Sequence, residues 1–556
     1  MTEPASRRAA SSSPWLATLA AVLVRLGYAL AKGPVGTDEA LYLVLGHNLW
    51  SGKGFTLLGA PHLIFPPLFP WILGGLERLV GSPEWASRVV FILAGAGLVP
   101  IAHALARRAL GGSAARWAAW LVAVSPTLTS YVSSWFWGSM SEPLFLFLAY
   151  GGWLAVLATN ERLAEGGPRV AALAVTAGLA FGGAYLTRPE GVAYAVLGAV
   201  ALGAFGAARA PRRLLAAALL AASFAGASFP YVHYLHRHTG RWTLSAKSGV
   251  VLEMAFAMLG KDPLHRKDQL DVLAYEALGF TAHDLGGEAP KLGFGEDGVA
   301  GRERADTFFD VARREPLFAV GFAFANAWDL ARTLPSRQVH PWPLTLLSVV
   351  GAVSAWRAGA QRRRGLLWAS AAGVPVAAFT LYGILPRFLV PVVPAALLLA
   401  AAGIEPLARW AERRIGVVRE ARLGVALVVT LALFGAAKTA KAVATHSEPI
   451  EYRVVGDWLR ANVPENALLM CRKPEIAFYA RRPMVALVAA DAPGLLDFAR
   501  KRHVTHLVLD RYAVWGIRPA LRPLFDQGHV EPGLDLVHRA SVAGREVLVF
   551  EVRRAP

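Results

Sequence analysis

The sequence predicts a multi-span α-helical membrane protein that ends in a soluble α/β domain, and three observations support this class. Of the 556 residues, 55% are hydrophobic and only 17% are charged, whereas soluble domains carry about 25% charged residues. Apolar runs of about 18 residues or more, which are long enough to cross a bilayer, recur up to residue 442. From residue 443 onward, short strand-like runs alternate with helical patterns.

The apolar runs predict about eleven transmembrane helices within a membrane domain of residues 1–442. A further apolar stretch at 316–334 is compatible with a helix that lies along the interface. The first run follows Arg7 and Arg8, so it is either a cleaved signal peptide or a membrane anchor, and its length favours the anchor. The predicted spans are 15–32, 87–106, 117–133, 142–158, 170–187, 191–208, 214–235, 341–357, 366–385, 388–404 and 423–442.

The arginines between the spans predict how the chain is oriented. The opposite short connections hold chiefly Arg188 and Arg387. Because cytoplasmic loops are enriched in Lys and Arg, we expect a cytoplasmic N-terminus and a C-terminal domain outside the cytoplasmic (inner) membrane. The arginines cluster in alternate connections, at 107–116, 162–169, 209–213, 357–364 and 409–422.

The net charge of +18 is explained by this topology and by contact with anionic membrane lipids. A nucleic-acid partner is not expected, because its binding would require the basic residues to collect on one soluble face. Three long segments are predicted on the outer side: the loops 33–86 and 236–340 and the α/β domain 443–556. The single cysteine, Cys471, excludes a disulfide within the chain and a Cys-rich metal site.

The first outer loop begins with two adjacent carboxylates, Asp38 and Glu39, directly after the first span. Thr37 can cap a helix that starts at Asp38, and acidic residues are favoured in a first helical turn. A carboxylate at a half-dry surface can also accept a proton from a hydroxyl group. Tyr42 lies one turn later on the same helix face as Asp38. A helix cap and a catalytic base both remain open from these residues.

Isolated charged residues also lie at the outer ends of later spans. Glu142 starts the span 142–158, Arg188 and Glu190 occupy a short turn, and Arg387 lies between two spans. Charges this close to hydrocarbon are costly and tend to mark functional pathways. Because a guanidinium group binds phosphate through paired hydrogen bonds, we expect Arg387 to bind a lipid phosphate. A helix-terminal charge at Glu142 and a structural Arg188–Glu190 pair remain open alternatives.

Five motifs follow one another along the chain: DEALYLVLGHNLWSGKGF, FPPLFPWILGGL, SEPLFLFLAY, LTRPEG and RFLVPVVPA. In this order and topology they resemble the GT-C glycosyltransferases that use polyprenyl-phosphate sugars. Within that group the chain is similar to bacterial protein mannosyltransferases, lipid A aminoarabinose transferases and lipopolysaccharide galacturonosyltransferases. The resemblance implies a cell-envelope enzyme that transfers a sugar, with inversion, from a polyprenyl-phosphate donor to a hydroxyl of a lipid, glycan or protein. It implies no required cofactor, and a divalent metal is possible but not indicated.

The resemblance also implies roles for individual residues. Asp38 matches the family's general base, with Glu39 beside it as a support, and Arg387 matches its ligand for the donor phosphate. Further contacts with the donor or with other parts of the substrates are expected from Arg188, Glu190, Tyr42, Lys53 and Glu142.

One position departs from the aminoarabinose transferases, which carry a lysine before the double proline of the first loop. This chain has Phe65 before Pro66 and Pro67, so an aminoarabinose function is in doubt and one candidate phosphate ligand is missing. Lys53 could replace that lysine, or it could be a solvated loop residue.

Two other classes of protein are alternatives to a membrane-embedded enzyme. A transporter or lipid flippase would place ionisable residues near the bilayer midplane and show internal repeats, whereas the charges singled out here lie at span ends and no repeat is found. A non-catalytic envelope assembly protein would not need both Asp38 and Arg387. The sequence therefore favours the glycosyltransferase.

Overall fold

A computed structural model of the chain describes residues 13–246, 308–359 and 376–553, apart from short breaks. The predicted span 366–385 and the predicted loop 236–340 fall mostly outside the described residues. The breaks are at 58–59, 132, 135–137, 165–166, 207, 377, 383–385, 417–418, 446–448 and 489.

The described chain up to residue 444 is almost entirely helical. Its first helices are α1 (Trp15–Ala31), α2 (Thr37–Trp50), α3 (Leu68–Val80), α4 (Pro83–Ala109), α5 (Gly112–Val124), α6 (Glu142–Arg162), α7 (Pro168–Tyr185), α8 (Gly191–Phe205) and α9 (Ala210–Thr239). They are followed by α10 (Phe308–Arg314), α11 (Pro316–Thr333), α12 (Trp342–Arg357), α13 (Val393–Ile415) and α14 (Glu420–Ala444). Two short antiparallel ribbons interrupt the helices: β1 (Thr56–Leu57) with β2 (Ala60–Pro61), and β3 (Ser133–Ser134) with β4 (Gly138–Ser139).

Six described helices have the length and apolar composition needed to cross a membrane, and all of them coincide with predicted spans. This confirms a multi-pass α-helical membrane protein, while the count of eleven and the orientation of the termini stay predictions. The helices are Pro83–Ala109, Glu142–Arg162, Pro168–Thr187, Ala210–Thr239, Pro386–Arg414 and Glu420–Ala444, and shorter apolar helices are Trp15–Ala31 and Gly191–Phe205.

The predicted span 117–133 is broken in the structure. Helix α5 ends at Val124, and a π-helical turn, Thr127–Tyr131, follows Pro126. Proline has no backbone N–H and its ring clashes with the preceding helical turn, so a helix cannot run through it undistorted. As a result α5 has 13 residues, whereas a transmembrane helix needs about 20.

Small residues let the helices of this part approach closely. Helix α12 packs along α13, and a Cβ atom added to Gly351 would lie 1.9 Å from the carbonyl oxygen of Leu399. A Cβ atom added to Gly403 would lie 2.2 Å from the carbonyl oxygen of Leu347. Such contacts between small residues are typical of helices packed in membranes, where association depends on close packing.

Residues 450–552 form an α/β unit, here called the C-terminal unit, with one five-stranded mixed sheet. The strand order is β6-β5-β7-β9-β8, in which β6, β5 and β7 run parallel and β9 pairs antiparallel with β7 and β8. Its position outside the membrane and its boundary at residue 443 stay predictions. Its elements are α15 (Ile450–Asn462), β5 (Leu469–Cys471), α16 (Pro474–Ala480), β6 (Met484–Ala486), α17 (Ala492–Lys501), β7 (His506–Asp510), α18 (Arg511–Ile517), β8 (Leu534–Val542) and β9 (Arg545–Val552).

The C-terminal unit shares a hydrophobic core with the first loop. Leu41 and Leu45 of α2 belong to the same buried cluster as Tyr452, Ile476 and Ala480 of the C-terminal unit. Helix α16 packs directly against α2. The helix that carries the two adjacent carboxylates is therefore held between the membrane part and the C-terminal unit.

Candidate active site

Helix α2 begins one residue earlier than predicted, with Gly36 as its N-cap. The Glu39 carboxylate reaches back and accepts the backbone N–H of Gly36 at 3.2 Å, which is half of a capping box. The Thr37 hydroxyl donates instead to Glu475 of the C-terminal unit, at 2.8 Å. The open alternative in which Thr37 caps this helix does not hold, because the Thr37 hydroxyl donates across an interface and Glu39 accepts the N-cap amide.

The predicted base and the predicted phosphate ligand form an ion pair. Arg387 Nη1 donates to Asp38 Oδ2 at 2.9 Å. The Arg387 side chain is 9% exposed and that of Asp38 is 12% exposed. Arg387 lies in a short 3-10 helix, Pro386–Val392, that leads into α13. Residues from the first and the last thirds of the chain thus meet at one buried point.

Glu142 joins this pair to a second arginine. Arg188 Nη1 lies 2.5 Å from Glu142 Oε1, and Arg387 Nε lies 3.8 Å from the same oxygen. Arg188 also donates to Glu190 Oε1, through Nε at 3.2 Å and Nη2 at 2.7 Å, so the expected Arg188–Glu190 pair is present. We call Asp38, Arg387, Glu142, Arg188 and Glu190 the charge cluster.

The charge cluster holds three carboxylates and two guanidinium groups. The Glu142 side chain is fully buried, and its Oε2 atom accepts no hydrogen bond from the residues that the structure describes. A buried charge is costly unless it is paired, so each guanidinium group here is already committed to carboxylates. An additional anion that binds these arginines would compete with the carboxylates for the guanidinium groups.

The ring of Tyr42 packs against two phenylalanine rings beside the charge cluster. Its ring centroid lies 4.5 Å from that of Phe65 and 5.0 Å from that of Phe69. Burial raises the pKa of the Tyr42 phenol, and the carboxylates of Asp38 and Glu142 raise it further, so the phenol stays a neutral donor. Phe65, at the position where aminoarabinose transferases are expected to have lysine, therefore supplies aromatic packing.

Besides Tyr42, two further predicted site residues, Glu39 and Lys53, lie outside the charge cluster. Glu39 binds Lys32 Nζ through Oε2 at 2.5 Å and accepts the Ser87 hydroxyl at its other oxygen, so it fixes the start of α2 against α1 and α4. Lys53 is exposed and lines a cavity of about 960 Å³, whose other lining residues on α2 include Leu41 and Val44 but not Asp38. The support role of Glu39 and the phosphate role of Lys53 stay predictions.

Sequence reasoning missed several buried basic residues, among them Arg25 and Lys473. Arg25, inside the first predicted span, is 0% exposed, and the rarity of charges inside spans could have flagged it. Lys473 donates to the Thr37 hydroxyl at 2.9 Å, and nothing in its local sequence signals that contact. Among residues with described positions, no group of three His, Cys, Asp or Glu side chains is arranged to hold a metal.

Comparisons with known proteins agree with the motif resemblance. Residues 65–230 match the family model described as dolichyl-phosphate-mannose-protein mannosyltransferase. No curated protein sequence matches the chain. Two solved structures are similar along most of the chain.

The first is ArnT from Cupriavidus metallidurans bound to undecaprenyl phosphate, with a TM-score of 0.54 and 14% identity, covering 96% of this chain and 97% of ArnT. The second is the oligosaccharyltransferase AglB from Archaeoglobus fulgidus in complex with an inhibitory peptide and a dolichol-phosphate. Its TM-score is 0.54 at 16% identity, and the match covers 92% of this chain and 72% of AglB. Likeness at this level of identity is a likeness of fold. The chain is a multi-pass membrane protein that has the fold of the GT-C glycosyltransferases, as its ordered motifs predict.

Proposed function

We propose that the chain is an inverting glycosyltransferase that moves a sugar from a polyprenyl-phosphate donor to a hydroxyl group of a lipid, glycan or protein. The reaction would take place at the outer face of the cytoplasmic membrane. The observation that carries this proposal is the buried contact between Asp38 and Arg387, which pairs a carboxylate that can take a proton with a guanidinium group that can bind phosphate. The similar structures of ArnT and AglB hold undecaprenyl phosphate and a dolichol-phosphate, which supports a lipid phosphate as the donor group.

The donor phosphate would bind where Arg387 now contacts Asp38. Phosphate offers the guanidinium group paired, charge-assisted hydrogen bonds, and Arg188, held on the other side of Glu142, adds a second positive charge. Because Arg387 Nη1 donates to Asp38, a phosphate that takes this nitrogen would displace that carboxylate. Donor binding would therefore free the base, so the acceptor hydroxyl is activated only when a donor is present.

In the transfer step, Asp38 takes the proton of the acceptor hydroxyl while the hydroxyl oxygen forms a bond to the anomeric carbon of the sugar. The bond between that carbon and the phosphate oxygen breaks, and its electron pair leaves with the lipid phosphate. A single displacement of this kind inverts the configuration at the anomeric carbon. The guanidinium groups of Arg387 and Arg188 stabilise the negative charge that grows on the leaving phosphate.

Glu142 and Tyr42 would orient the groups that react. Glu142 contacts both arginines and therefore sets the distance between the two phosphate ligands. Tyr42 lies one helical turn from Asp38, and its neutral phenol can donate a hydrogen bond to the sugar or to the phosphate. Since the two arginines carry the charge compensation, we propose that the reaction needs no metal.

The experiment uses the full chain, purified and reconstituted in lipid nanodiscs. It is incubated with a panel of polyprenyl-phosphate sugars and with hydroxyl acceptors from lipid, glycan and peptide classes. We expect one donor to be consumed, with release of the polyprenyl phosphate, and we expect a chelator such as EDTA to leave the rate unchanged. The Asp38→Asn variant should consume that donor at least about 10²-fold more slowly, although it is expressed and folded. Equal turnover by that variant, or no turnover of any donor by the wild type, would contradict the proposal.

A further inference from the structure

Three polar side chains meet where the C-terminal unit contacts the first turn of α2. Lys473 Nζ donates to the Thr37 hydroxyl at 2.9 Å, and that hydroxyl donates to Glu475 Oε1 at 2.8 Å. Lys473 Nζ also lies 3.9 Å from Glu475 Oε1. These contacts form a closed triangle, and one of its corners is the residue immediately before Asp38.

The triangle is held rigidly from the side of the C-terminal unit. Lys473 is the N-cap of α16 and Glu475 lies in its first turn, so one short helix positions both side chains. Tyr479, near the end of the same helix, accepts the backbone N–H of Val35 at 2.9 Å and donates to Glu84 at 2.5 Å. Helix α16 therefore contacts the chain on both sides of Gly36, where α2 starts.

The polar character of this contact calls for a reason beyond packing. Lys473 is 5% exposed and Glu475 is 1% exposed. Apolar side chains of similar volume often hold two surfaces together as well as a buried ion pair does, because removing the two charges from water is costly. Burial lowers the pKa of Lys473, and the carboxylates of Glu475, Asp510 and Asp38 oppose that change. Lys473 therefore lies within electrostatic range of Asp38.

We propose that Lys473 is a positioning residue for Asp38, so that the C-terminal unit completes the active site rather than merely covering it. The inference rests on the proposed function. Through Thr37, Lys473 fixes the first turn of α2 and hence the direction of the Asp38 side chain. When the donor phosphate binds Arg387, the positive charge of Lys473 remains beside that turn. The Asp38 carboxylate then keeps a nearby cation without changing its direction.

The experiment compares three variants of the full chain in nanodiscs: Lys473→Met, Lys473→Arg and the matched control Lys501→Met. Lys501 belongs to the same unit but is exposed, with 72% of its side chain accessible and an exposed partner, Asp497. Each variant is measured for kcat, for donor KM, for binding of undecaprenyl phosphate, and for hydrogen exchange of the backbone amides at 36–42.

We expect Lys473→Met to lower kcat about 10- to 100-fold, since a small misplacement of a catalytic group has effects of this order. Binding of undecaprenyl phosphate should stay within about twofold, because the arginines that bind phosphate are untouched. Hydrogen exchange should rise at 36–42, Lys473→Arg should restore most of kcat, and Lys501→Met should match the wild type.

Three outcomes would overturn the inference: an unchanged kcat in Lys473→Met, a loss of phosphate binding together with kcat, or a general rise in exchange across the C-terminal unit. If the wild type itself consumes no donor, the proposed function fails, and the exchange measurement then decides the inference alone. In that case a rise confined to 36–42 supports the positioning contact, and unchanged exchange refutes it.

Discussion

Arg387 and Arg25 are both buried arginines near the membrane part of the chain, but their partners differ in kind. Arg387 donates to a side-chain carboxylate, that of Asp38. Arg25 donates to backbone carbonyl oxygens, that of Ala123 at 3.0 Å and that of Leu128 at 3.4 Å. A side chain can rotate away when a stronger ligand arrives, whereas a carbonyl at a helix end cannot. Of the contacts that the structure describes for these two arginines, the one between Arg387 and Asp38 is therefore the exchangeable one.

The carbonyl oxygens explain why Arg25 is present at all. Helix α5 ends at Val124, and the last carbonyl groups of a helix have no partner within the helix. Inside a membrane these groups cannot turn to water, so another part of the protein must satisfy them. Arg25 does so, and we therefore assign it to stability, in contrast to the ligand-binding role proposed for Arg387.

The largest expected effect is at the exchangeable pair. Asp38→Asn removes the proton acceptor but keeps the size of the side chain, so we expect kcat to fall about 10²- to 10⁴-fold, the usual contribution of a general base. Turnover of the donor identified for the wild type measures it. The control is Glu77→Gln, on the neighbouring helix α3, where the Glu77 carboxylate pairs with the exposed ring of His47, so that the change should be tolerated. Loss of activity in both variants would show that the effect is not specific to Asp38.

The next effect concerns the guanidinium group itself. Arg387→Gln removes the proposed ligand of the donor phosphate, and we expect kcat/KM to fall about 10²- to 10³-fold, as for the loss of one donor that stabilises a developing anion. Arg387→Lys keeps the charge but loses the paired geometry, and it should recover only part of the activity. Binding of undecaprenyl phosphate to each variant provides a second measurement. Full activity of Arg387→Gln would remove Arg387 from the site.

Arg25 provides the contrasting test. Arg25→Met leaves carbonyl groups of α5 and of the following turn without a donor, and each such buried group costs about 1–3 kcal/mol. We therefore expect a lower melting temperature in nanodiscs, with the donor KM of the folded fraction unchanged. If Arg25→Met instead raised the donor KM at unchanged stability, Arg25 would be a ligand residue and the distinction between the two arginines would be wrong.

The same contrast explains how far the sequence could predict the site. Asp38, Arg188, Glu190, Glu142 and Arg387 could be singled out because charges at the ends of apolar spans are costly and visible in a single sequence. Which of them touch depends on helix packing, and the shared contact of both arginines with Glu142 is not written in any local pattern. The ordered motifs could indicate the fold through resemblance, because they contain the residues at the ends of successive spans.

Two errors have a common physical origin. The local sequence allows Thr37 to cap α2, but the Thr37 hydroxyl donates instead to Glu475 of the C-terminal unit. Lys473 was not recognised because an isolated lysine is ordinary in a soluble α/β sequence, and only its burial at 5% exposure reveals its role in the interface. Local rules describe a segment by itself, so they fail where a distant segment of the chain supplies the partner.

The smallest expected effect is a change in the affinity for lipid phosphate, and it tests directly whether the partner of Arg387 is exchangeable. If Asp38 competes with the donor phosphate for Arg387, then Asp38→Asn should bind undecaprenyl phosphate more tightly than the wild type, even though it transfers sugar more slowly. The pair is buried, and a buried arginine that loses the charge of its partner binds another anion more readily. We therefore expect a gain in affinity of about tenfold, which corresponds to about 1.4 kcal/mol.

Titration of the lipid phosphate into nanodiscs, followed by intrinsic tryptophan fluorescence, measures this gain. Asp497→Asn is the matched control, because Asp497 is exposed, pairs with Lys501 in the C-terminal unit and lies outside the charge cluster, and it should bind as the wild type does. Weaker binding by Asp38→Asn would mean that Asp38 holds Arg387 in position for the phosphate rather than competing with it. Donor binding would then not release the base, and the order of events in the proposed reaction would have to be reversed.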